Sequence, residues 1–273
     1  MPKKKILIFG GSGFLGNALY KELNSYYNTF ATYHSNIVSF KKNQKFYAFN
    51  FESDPVSVLL ETIQPDIVIS AVRGNFTSQI HFHNELISWV YRNDTKIIFL
   101  SSANVFDRFT NYPSYEYDKT FSESVYGHFK IKIENALMRL PLRNHLIARI
   151  PMIYGHGSER IQELKTLHHL KSSIEIFPNV VTNATTVSRF TQQIHYLINR
   201  NKVGIYHLGS KDLTHHGDLI KDICKTLSLN EPMFKKVFDS NDDRYLAVLP
   251  KDNLLPKYLQ YSIDDVILES MKL

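Results

Sequence analysis

The chain has 273 residues, of which 43% are hydrophobic and 21% are charged, and its formal net charge is +6. This composition is typical of a globular protein with a sizeable core and excludes a disordered or fibrous chain. The single cysteine, Cys224, excludes an internal disulfide, so we expect a reducing compartment, the cytoplasm. Positive residues are scattered in short runs such as Lys41-Lys42, which argues against nucleic-acid binding. No apolar run approaches the roughly 20 residues that span a bilayer.

Apolar runs separated by amphipathic stretches predict six strands in the first 151 residues of the chain. They cover residues 6–9, 29–33, 45–49, 66–71, 96–101 and 145–151. Residues 80–91 have the apolar spacing of a helix between the fourth and fifth strands. This alternation predicts an α/β fold with a doubly wound parallel sheet.

The alternation becomes less regular after Tyr154-Gly155. Residues 186–199 have a helical pattern and residues 204–208 a strand pattern, so the chain is expected to return to the sheet. We therefore predict a cofactor-binding domain of residues 1–154 and about 184–209. A smaller α/β substrate-binding lobe would contain about 155–183 and 210–273.

A glycine-rich turn, Gly10-x-x-Gly13-x-x-Gly16, follows the first strand. It precedes an amphipathic helix that begins with Phe14 and Leu15. In a Rossmann-type sheet these glycines allow a tight turn, close approach of a pyrophosphate, and close packing of the helix. The phosphates would face the helix N-terminus. A purely structural turn is the alternative, and the strand–helix context favours a dinucleotide.

The end of the second strand bears on the choice of cofactor. An NAD site usually has an acidic residue there for the ribose 2′-hydroxyl. This chain has His34-Ser35 instead, and no Asp or Glu occurs between Glu22 and Glu52. The pattern favours NADP over NAD, although His34 and Ser35 would also suit an ordinary exposed loop.

Tyr126 and Lys130 lie four residues apart in a predicted helix, so a phenol and an ammonium would share one face. A free tyrosine titrates near 10, and a nearby ammonium would help it to exchange protons at neutral pH. The alternative is a Tyr126 ring that packs inward as an ordinary helix residue.

Taken together, these motifs resemble the extended short-chain dehydrogenase/reductases, and among them the dTDP-4-dehydrorhamnose reductase-like sugar-nucleotide reductases. Besides the glycine turn and Tyr126-x-x-x-Lys130, the resemblance rests on residues 100–107, 149–155 and 204–209. It implies an NADPH-dependent oxidoreductase that reduces a nucleotide-linked 4-keto sugar. Ser102 would bind the reacting oxygen, Tyr126 would donate the proton, and Lys130 would hold the nicotinamide ribose. A strand-end cap is the alternative role of Ser102.

The resemblance also implies further contacts. Cofactor contacts would come from the ends of the third and fourth strands, at Asn50, Phe51, Ala71, Val72 and Arg73. Substrate contacts would come from Asn104, Met152 and Arg160. Arg73 and Arg160 would equally suit exposed surface positions. Related 4,6-dehydratases have an Asp-Glu pair where this chain has Ala103-Asn104, which argues against dehydration.

Two alternative functions remain open. A nucleotide-sugar 4-epimerase needs the same residues and a retained NAD(P). A non-catalytic cofactor-binding protein would resemble the methionine adenosyltransferase regulatory subunit. A homodimer is compatible with either. No metal is expected, because neither His81-x-His83 nor the adjacent histidine pairs are completed by a carboxylate or cysteine. We expect surface or capping roles for these histidines.

Overall fold

The structure, a computed structural model, describes residues 3–35, 37–108, 110–238 and 240–270. The strands in this part of the chain are β1 (Lys5–Phe9), β2 (Asn28–Tyr33), β3 (Phe46–Ala48), β4 (Ile67–Ser70), β5 (Lys96–Ser102), β6 (His145–Ile150), β7 (Met152–Tyr154), β8 (Ile174–Ile176), β9 (Val180–Thr182), β10 (Ala184–Thr186), β11 (Gly204–His207), β12 (Thr214–His215), β13 (Phe234–Lys236) and β14 (Arg244–Leu246). The helices are α1 (Phe14–Leu23), α2 (Ile37–Phe40), α3 (Val56–Ile63), α4 (Phe76–Asn93), α5 (Val125–Leu137), α6 (Glu159–His169), α7 (Val187–Asn199), α8 (His216–Thr226) and α9 (Ile263–Glu269).

Seven strands form the main sheet, in the order β11-β6-β5-β4-β1-β2-β3. The first strand pairs in parallel with two neighbours, since Ile6 is opposite both Thr29 and Ile67. The sheet extends in parallel through Ala31 opposite Phe46 and through Ile67 opposite Lys96. Without β11, which lies at one edge, this is the strand order of the Rossmann fold. The predicted α/β class and the six predicted strands are therefore confirmed.

The helix between β4 and β5 shows how local sequence sets an element. Asn75 caps α4, because its side-chain oxygen accepts a hydrogen bond from the Ser78 backbone N–H at 3.1 Å. The helix ends at Asp94, which has a left-handed φ of 50°. Both ends lie outside the predicted 80–91 because capping depends on polar residues beyond the apolar pattern.

The chain divides into two compact units. Unit 1 comprises residues 1–101, 128–148 and 194–205, and unit 2 comprises residues 102–127, 149–193 and 206–273. Unit 1 has a core of apolar side chains that includes Leu7, Phe9, Val68, Phe99 and Ile147. Whether these units correspond to the predicted cofactor domain and substrate lobe stays a prediction.

Unit 2 has its own core and its own small sheets. Strand β7 pairs in parallel with β10, β8 pairs in parallel with β13, and β9 lies between β12 and β14. A second apolar cluster packs here and includes Tyr154, Ile161, Leu219, Tyr261 and Val266. No helix in the described ranges has the length and apolar character that a membrane span requires.

Candidate active site

The chain leaves β1 through a glycine turn in which three positions, Gly10, Gly11 and Gly16, admit no side chain. Gly10 has a φ of +78°, and a Cβ there would lie 2.6 Å from the Ala71 carbonyl oxygen. Its N–H donates to Thr32 Oγ1 at 2.9 Å, which ties the turn to β2. A Cβ at Gly16 would collide with the Gly10 carbonyl oxygen, so α1 packs directly on the turn. The tight turn and close helix packing predicted for these glycines are both present.

The N-terminus of α1 has no side-chain cap. Gly13 is the N-cap residue, no side-chain hydrogen bond caps the helix, and its first turn contains no acidic residue. Phe14 and Leu15 follow and are half-buried. Backbone N–H groups at such a helix end suit a phosphate. Sequence reasoning missed Gly11, where a Cβ would collide with Ala31 Cβ. The Gly10-Gly11 pair in the sequence could have indicated this close packing.

The ends of β2 and β3 hold the next set of predicted cofactor residues. His34 and Ser35 are exposed immediately after β2. Asn50 Oδ1 accepts a hydrogen bond from the Glu52 N–H at 3.1 Å, so its side chain shapes the local turn after β3. Phe51 packs on Phe82, with ring centroids 6.0 Å apart.

The loop after β4 carries the remaining predicted cofactor residues. Ala71 and Val72 are half-buried, and Arg73 is exposed. The Ala71 backbone lies against Gly10, so this loop borders the glycine turn. Carboxyl ends of parallel strands form the cofactor-binding edge of a Rossmann sheet. The positions therefore suit the predicted contacts, which stay predictions.

Lys130 is buried in unit 1, where its ammonium has specific partners. Its Nζ donates to the Leu100 carbonyl oxygen at 2.8 Å and lies 4.6 Å from the centre of the Phe99 ring. Burial lowers the pKa of Lys130 to about 8, and the charge of Glu134 opposes that shift. The ammonium is thus fixed against the Leu100 carbonyl of β5.

Within unit 2, Ser102 and Asn104 form a closed pair of hydrogen bonds. Ser102 Oγ donates to Asn104 Oδ1 at 2.9 Å and accepts from the Asn104 backbone N–H at 3.2 Å. Both residues belong to the start of a short 3-10 turn that covers Ala103–Phe106. The predicted substrate residue Asn104 therefore orients the hydroxyl of the predicted catalytic Ser102.

Asp107 joins this turn to the segment that leads into α5. Its carboxylate accepts hydrogen bonds from the Ser122 and Ser124 hydroxyls at 2.8 and 2.6 Å. It also accepts the Glu123 backbone N–H at 2.7 Å. Ser124 Oγ in turn accepts the Gly127 N–H at 3.0 Å and so caps the helix. Sequence reasoning missed this role, although a serine before a helix is an N-cap signal.

Gly127 brings the first turn of α5 onto the turn after Ser102. A Cβ at residue 127 would collide with the Ser122 hydroxyl oxygen and with the Asn104 carbonyl oxygen. Tyr126 precedes this glycine and is 39% exposed. The structure thus fixes the backbone of Tyr126 against the segment that carries Ser102 and leaves its ring partly accessible.

The predicted substrate residues Met152 and Arg160 both act on Tyr154, which sequence reasoning did not select. The Tyr154 hydroxyl donates to Met152 Sδ at 3.7 Å. Burial raises the pKa of Tyr154 to about 12, and the positive charge of Arg160 opposes that shift. Arg160 itself is exposed in the first turn of α6. No contact recorded for the described residues joins this group to Asn104.

A buried polar network supports the segment between Ser102 and Tyr126. Arg149 Nη1 donates to the Glu116 carbonyl oxygen at 2.8 Å and to His207 Nε2 at 3.3 Å. Burial and the Arg149 charge lower the pKa of His207 to about 3, so its imidazole is neutral and can accept. The Glu116 carboxylate, fully buried, accepts backbone N–H groups of residues 251, 252 and 253.

The surface role expected for His83 is wrong. His83 is 1% exposed and bonds to Ser70 Oγ at 2.8 Å and to the Gln79 carbonyl oxygen at 2.6 Å. Burial lowers its pKa to about 3, so the imidazole is neutral, Nδ1 donates to Gln79, and Nε2 accepts from Ser70. His81 is exposed, because residues two apart lie on different faces of a helix. The described residues contain no group of three potential metal ligands.

Comparison with known proteins supports the same fold. A curated relative, methionine adenosyltransferase 2 subunit beta of Rattus norvegicus, is 29% identical over 180 residues, 60% of this chain and 51% of that protein. The chain spans about half the length of the curated relatives it matches. The dTDP-4-dehydrorhamnose reductase of Bacillus anthracis, solved in complex with NADP, has a TM-score of 0.78 at 16% identity. That alignment covers 98% of this chain and 97% of the other.

A further solved structure with the same fold is the UDP-glucuronic acid 4-epimerase of Bacillus cereus in complex with NAD. Its TM-score is 0.75 at 17% identity, and the alignment covers 97% of this chain and 96% of the other. The sequence profile of the RmlD substrate binding domain matches residues 4–242. The resemblance inferred from the motifs is thereby confirmed, and the chain belongs to the RmlD substrate binding domain family.

Proposed function

We propose that the protein is a nicotinamide-dependent reductase of a nucleotide-linked 4-keto sugar, with NADPH as the favoured cofactor. The observation that carries the proposal is the packing of Gly127 on Asn104, because it presents Tyr126 beside the segment that holds Ser102. Family membership supports it, as does the shared fold with a dTDP-4-dehydrorhamnose reductase that binds NADP.

The glycine turn fits a dinucleotide. The close approach at Gly10 and the uncapped helix start at Gly13 leave backbone N–H groups for a pyrophosphate. We propose that His34 and Ser35 contact a ribose 2′-phosphate, and that Lys130 holds the nicotinamide ribose. The adenine would lie near Asn50 and Phe51. A bound nicotinamide supplies the hydride for the reduction.

The remaining chemistry falls to side chains of this chain. Ser102 Oγ keeps the Asn104 N–H as a donor while its own O–H rotates from Asn104 Oδ1 to the substrate oxygen. That hydrogen bond stabilises negative charge that develops on the oxygen. Tyr126 then gives its phenolic proton to the same oxygen, and the Lys130 ammonium stabilises the phenolate that remains.

Unit 2 offers residues for the sugar nucleotide. We propose that Arg160, exposed at the start of α6, contacts the diphosphate and that Met152 borders the sugar. The Tyr154 hydroxyl holds Met152 through its hydrogen bond to Sδ, and the charge of Arg160 acts on the same tyrosine.

The test mixes the purified protein with NADPH and a panel of nucleotide-linked 4-keto sugars and follows the loss of nicotinamide absorbance. Tyr126→Phe should lower turnover by about 10²- to 10⁴-fold, because it removes the proton donor. Its dissociation constant for NADPH should stay unchanged. Tyr112→Phe is the matched control, since Tyr112 is 70% exposed, and should keep full activity. Full activity of Tyr126→Phe would contradict the mechanism.

The epimerase alternative, which the fold shared with an NAD-bound 4-epimerase favours, is separated by stoichiometry. A reductase consumes one reduced cofactor per product, whereas an epimerase retains its cofactor over many turnovers.

A second candidate function is a subunit of a larger enzyme, which the curated relatives named methionine adenosyltransferase 2 subunit beta favour. In that case the protein binds NADPH tightly and turns over no sugar in the panel. It would also form a complex with a methionine adenosyltransferase catalytic chain, measurable by light scattering coupled to gel filtration. Turnover of any keto sugar with the expected loss of activity in Tyr126→Phe would count against this alternative.

A further inference from the structure

The Lys130 ammonium lies in a part of unit 1 that gives it little solvent. The residue is 7% exposed, and its recorded partners include the Leu100 carbonyl oxygen and the faces of the Phe99 and Phe129 rings. A carbonyl and two rings supply only partial negative charge. A buried ammonium is costly unless a full opposite charge is nearby.

Glu134 supplies a full charge one helical turn further along α5. It is 0% exposed, and residues four apart on a helix share a face. The Ser101 hydroxyl donates a hydrogen bond to Glu134 Oε1, which ties the carboxylate to β5. Ser101 belongs to β5, so the carboxylate is held between the helix and the strand whose Leu100 carbonyl binds Lys130.

Other titratable groups around Lys130 do not supply this charge. His83 reaches the same region from α4 and interacts electrostatically with Lys130, but its imidazole is neutral near neutral pH. Tyr126 lies one turn before Lys130 on α5 and has a phenol rather than a carboxylate. Among these groups Glu134 is the carboxylate, and its charge raises the pKa of Lys130.

We propose that Glu134 is the counter-charge that keeps Lys130 protonated, and thus a positioning residue for the proposed reduction. The inference rests on the role proposed above for Lys130. Without Glu134, burial acts on Lys130 unopposed, so the side chain becomes neutral at a lower pH. A neutral Lys130 could no longer stabilise the phenolate of Tyr126.

The test measures the titration of Lys130 directly, by NMR of protein labelled with ¹³C at the lysine side chains, with Lys130→Met identifying the resonance. Glu134→Gln removes the charge but keeps the shape, and should lower the pKa of Lys130 by about 1–3 units. Glu134→Leu removes the charge without leaving an amide unpaired, and serves if the glutamine variant does not fold. Glu134→Asp keeps the charge and should restore most of the wild-type pKa.

Ser101→Ala is the matched control for disturbed packing, because it alters the same buried pocket and keeps the carboxylate. Its Lys130 should titrate close to the wild-type value. An unchanged pKa in the folded Glu134→Gln or Glu134→Leu variant would overturn the inference, as would an equal fall in Ser101→Ala.

A kinetic measurement links the titration to the reaction. In Glu134→Gln the alkaline limb of the kcat/KM profile should move to lower pH by the same number of units as the Lys130 titration. The NMR result stands without turnover, so a wild-type protein that reduces no sugar counts against the proposed function alone. A shifted pKa with an unmoved alkaline limb would overturn the link between Glu134 and the reaction.

Discussion

Replacing Gly127 by alanine should push the start of α5, which carries Tyr126, away from the turn that follows Ser102. The new Cβ would collide with the Ser122 hydroxyl oxygen and with the Asn104 carbonyl oxygen. The serine hydroxyl can rotate away. The carbonyl belongs to the backbone, so the helix itself must shift.

The magnitude follows from a comparison with a second helical glycine. Overpacking of this kind costs about 1–3 kcal/mol, while alanine gains about 1 kcal/mol over glycine within a helix. Gly217 lies in the first turn of α8, where a Cβ would be 3.7 Å from Ile176 Cδ1 and from Pro178 Cα, an ordinary contact. Gly217→Ala should therefore show only the gain in stability that alanine brings to a helix, without a clash. The stability of the two variants should differ by about 1–3 kcal/mol.

Urea unfolding of the two alanine variants measures this difference directly. The Gly127 variant should also lose turnover in the NADPH assay, because Tyr126 is displaced from Ser102, and should keep its affinity for NADPH. The Gly217 variant should keep both. Equal free energies of unfolding and equal turnover in the two variants would refute the argument that Gly127 sets the position of Tyr126.

Two further predictions concern buried polar groups of unit 1. Thr32→Val removes the acceptor of the Gly10 N–H, so it should cost about 1–3 kcal/mol of stability and weaken NADPH binding. Thr32→Ser keeps the hydroxyl and should retain the stability and the NADPH affinity of the wild type. Equal NADPH dissociation constants for the valine and serine variants would contradict this prediction. For His83 the pKa is near 6.5 in the unfolded chain and about 3 in the folded one, so only the unfolded chain binds a proton between these values. Stability should therefore fall by about 1.4 kcal/mol per pH unit for this group as the pH drops below about 6.5. His83→Gln should show a shallower fall in urea unfolding between about pH 7 and about pH 5, and an unchanged slope would show that His83 does not titrate this way.

Much of the fold could be read from local patterns. The six predicted strands appear in the main sheet because buried parallel strands are continuously apolar, and that signal is contained in a few consecutive residues. The glycine turn was predictable for the same reason, since the positive φ of Gly10 and the close packing of Gly16 are demands of a local strand–turn–helix unit. The spacing of Tyr126 and Lys130 likewise needs only the periodicity of one helix.

The partners of polar groups were not readable in this way. His81 and His83 look alike in the sequence, yet one is exposed and the other is buried against Ser70. Asp107 was part of a recognised motif, but its binding of the Ser122 and Ser124 hydroxyls appears only in the folded chain. Helical and strand periodicity indicates which face is buried and carries no information about which group lies opposite.

The sequence alone therefore determined the α/β class, the strand–turn–helix unit at Gly10 and the helical pairing of Tyr126 with Lys130, because each depends on neighbours within about one or two turns of chain. The tertiary structure decided what surrounds these residues. It placed Glu134 against the Ser101 hydroxyl, Thr32 against the Gly10 N–H, and Gly127 against Asn104. Such contacts join residues from different elements, and only packing of the complete chain brings them together.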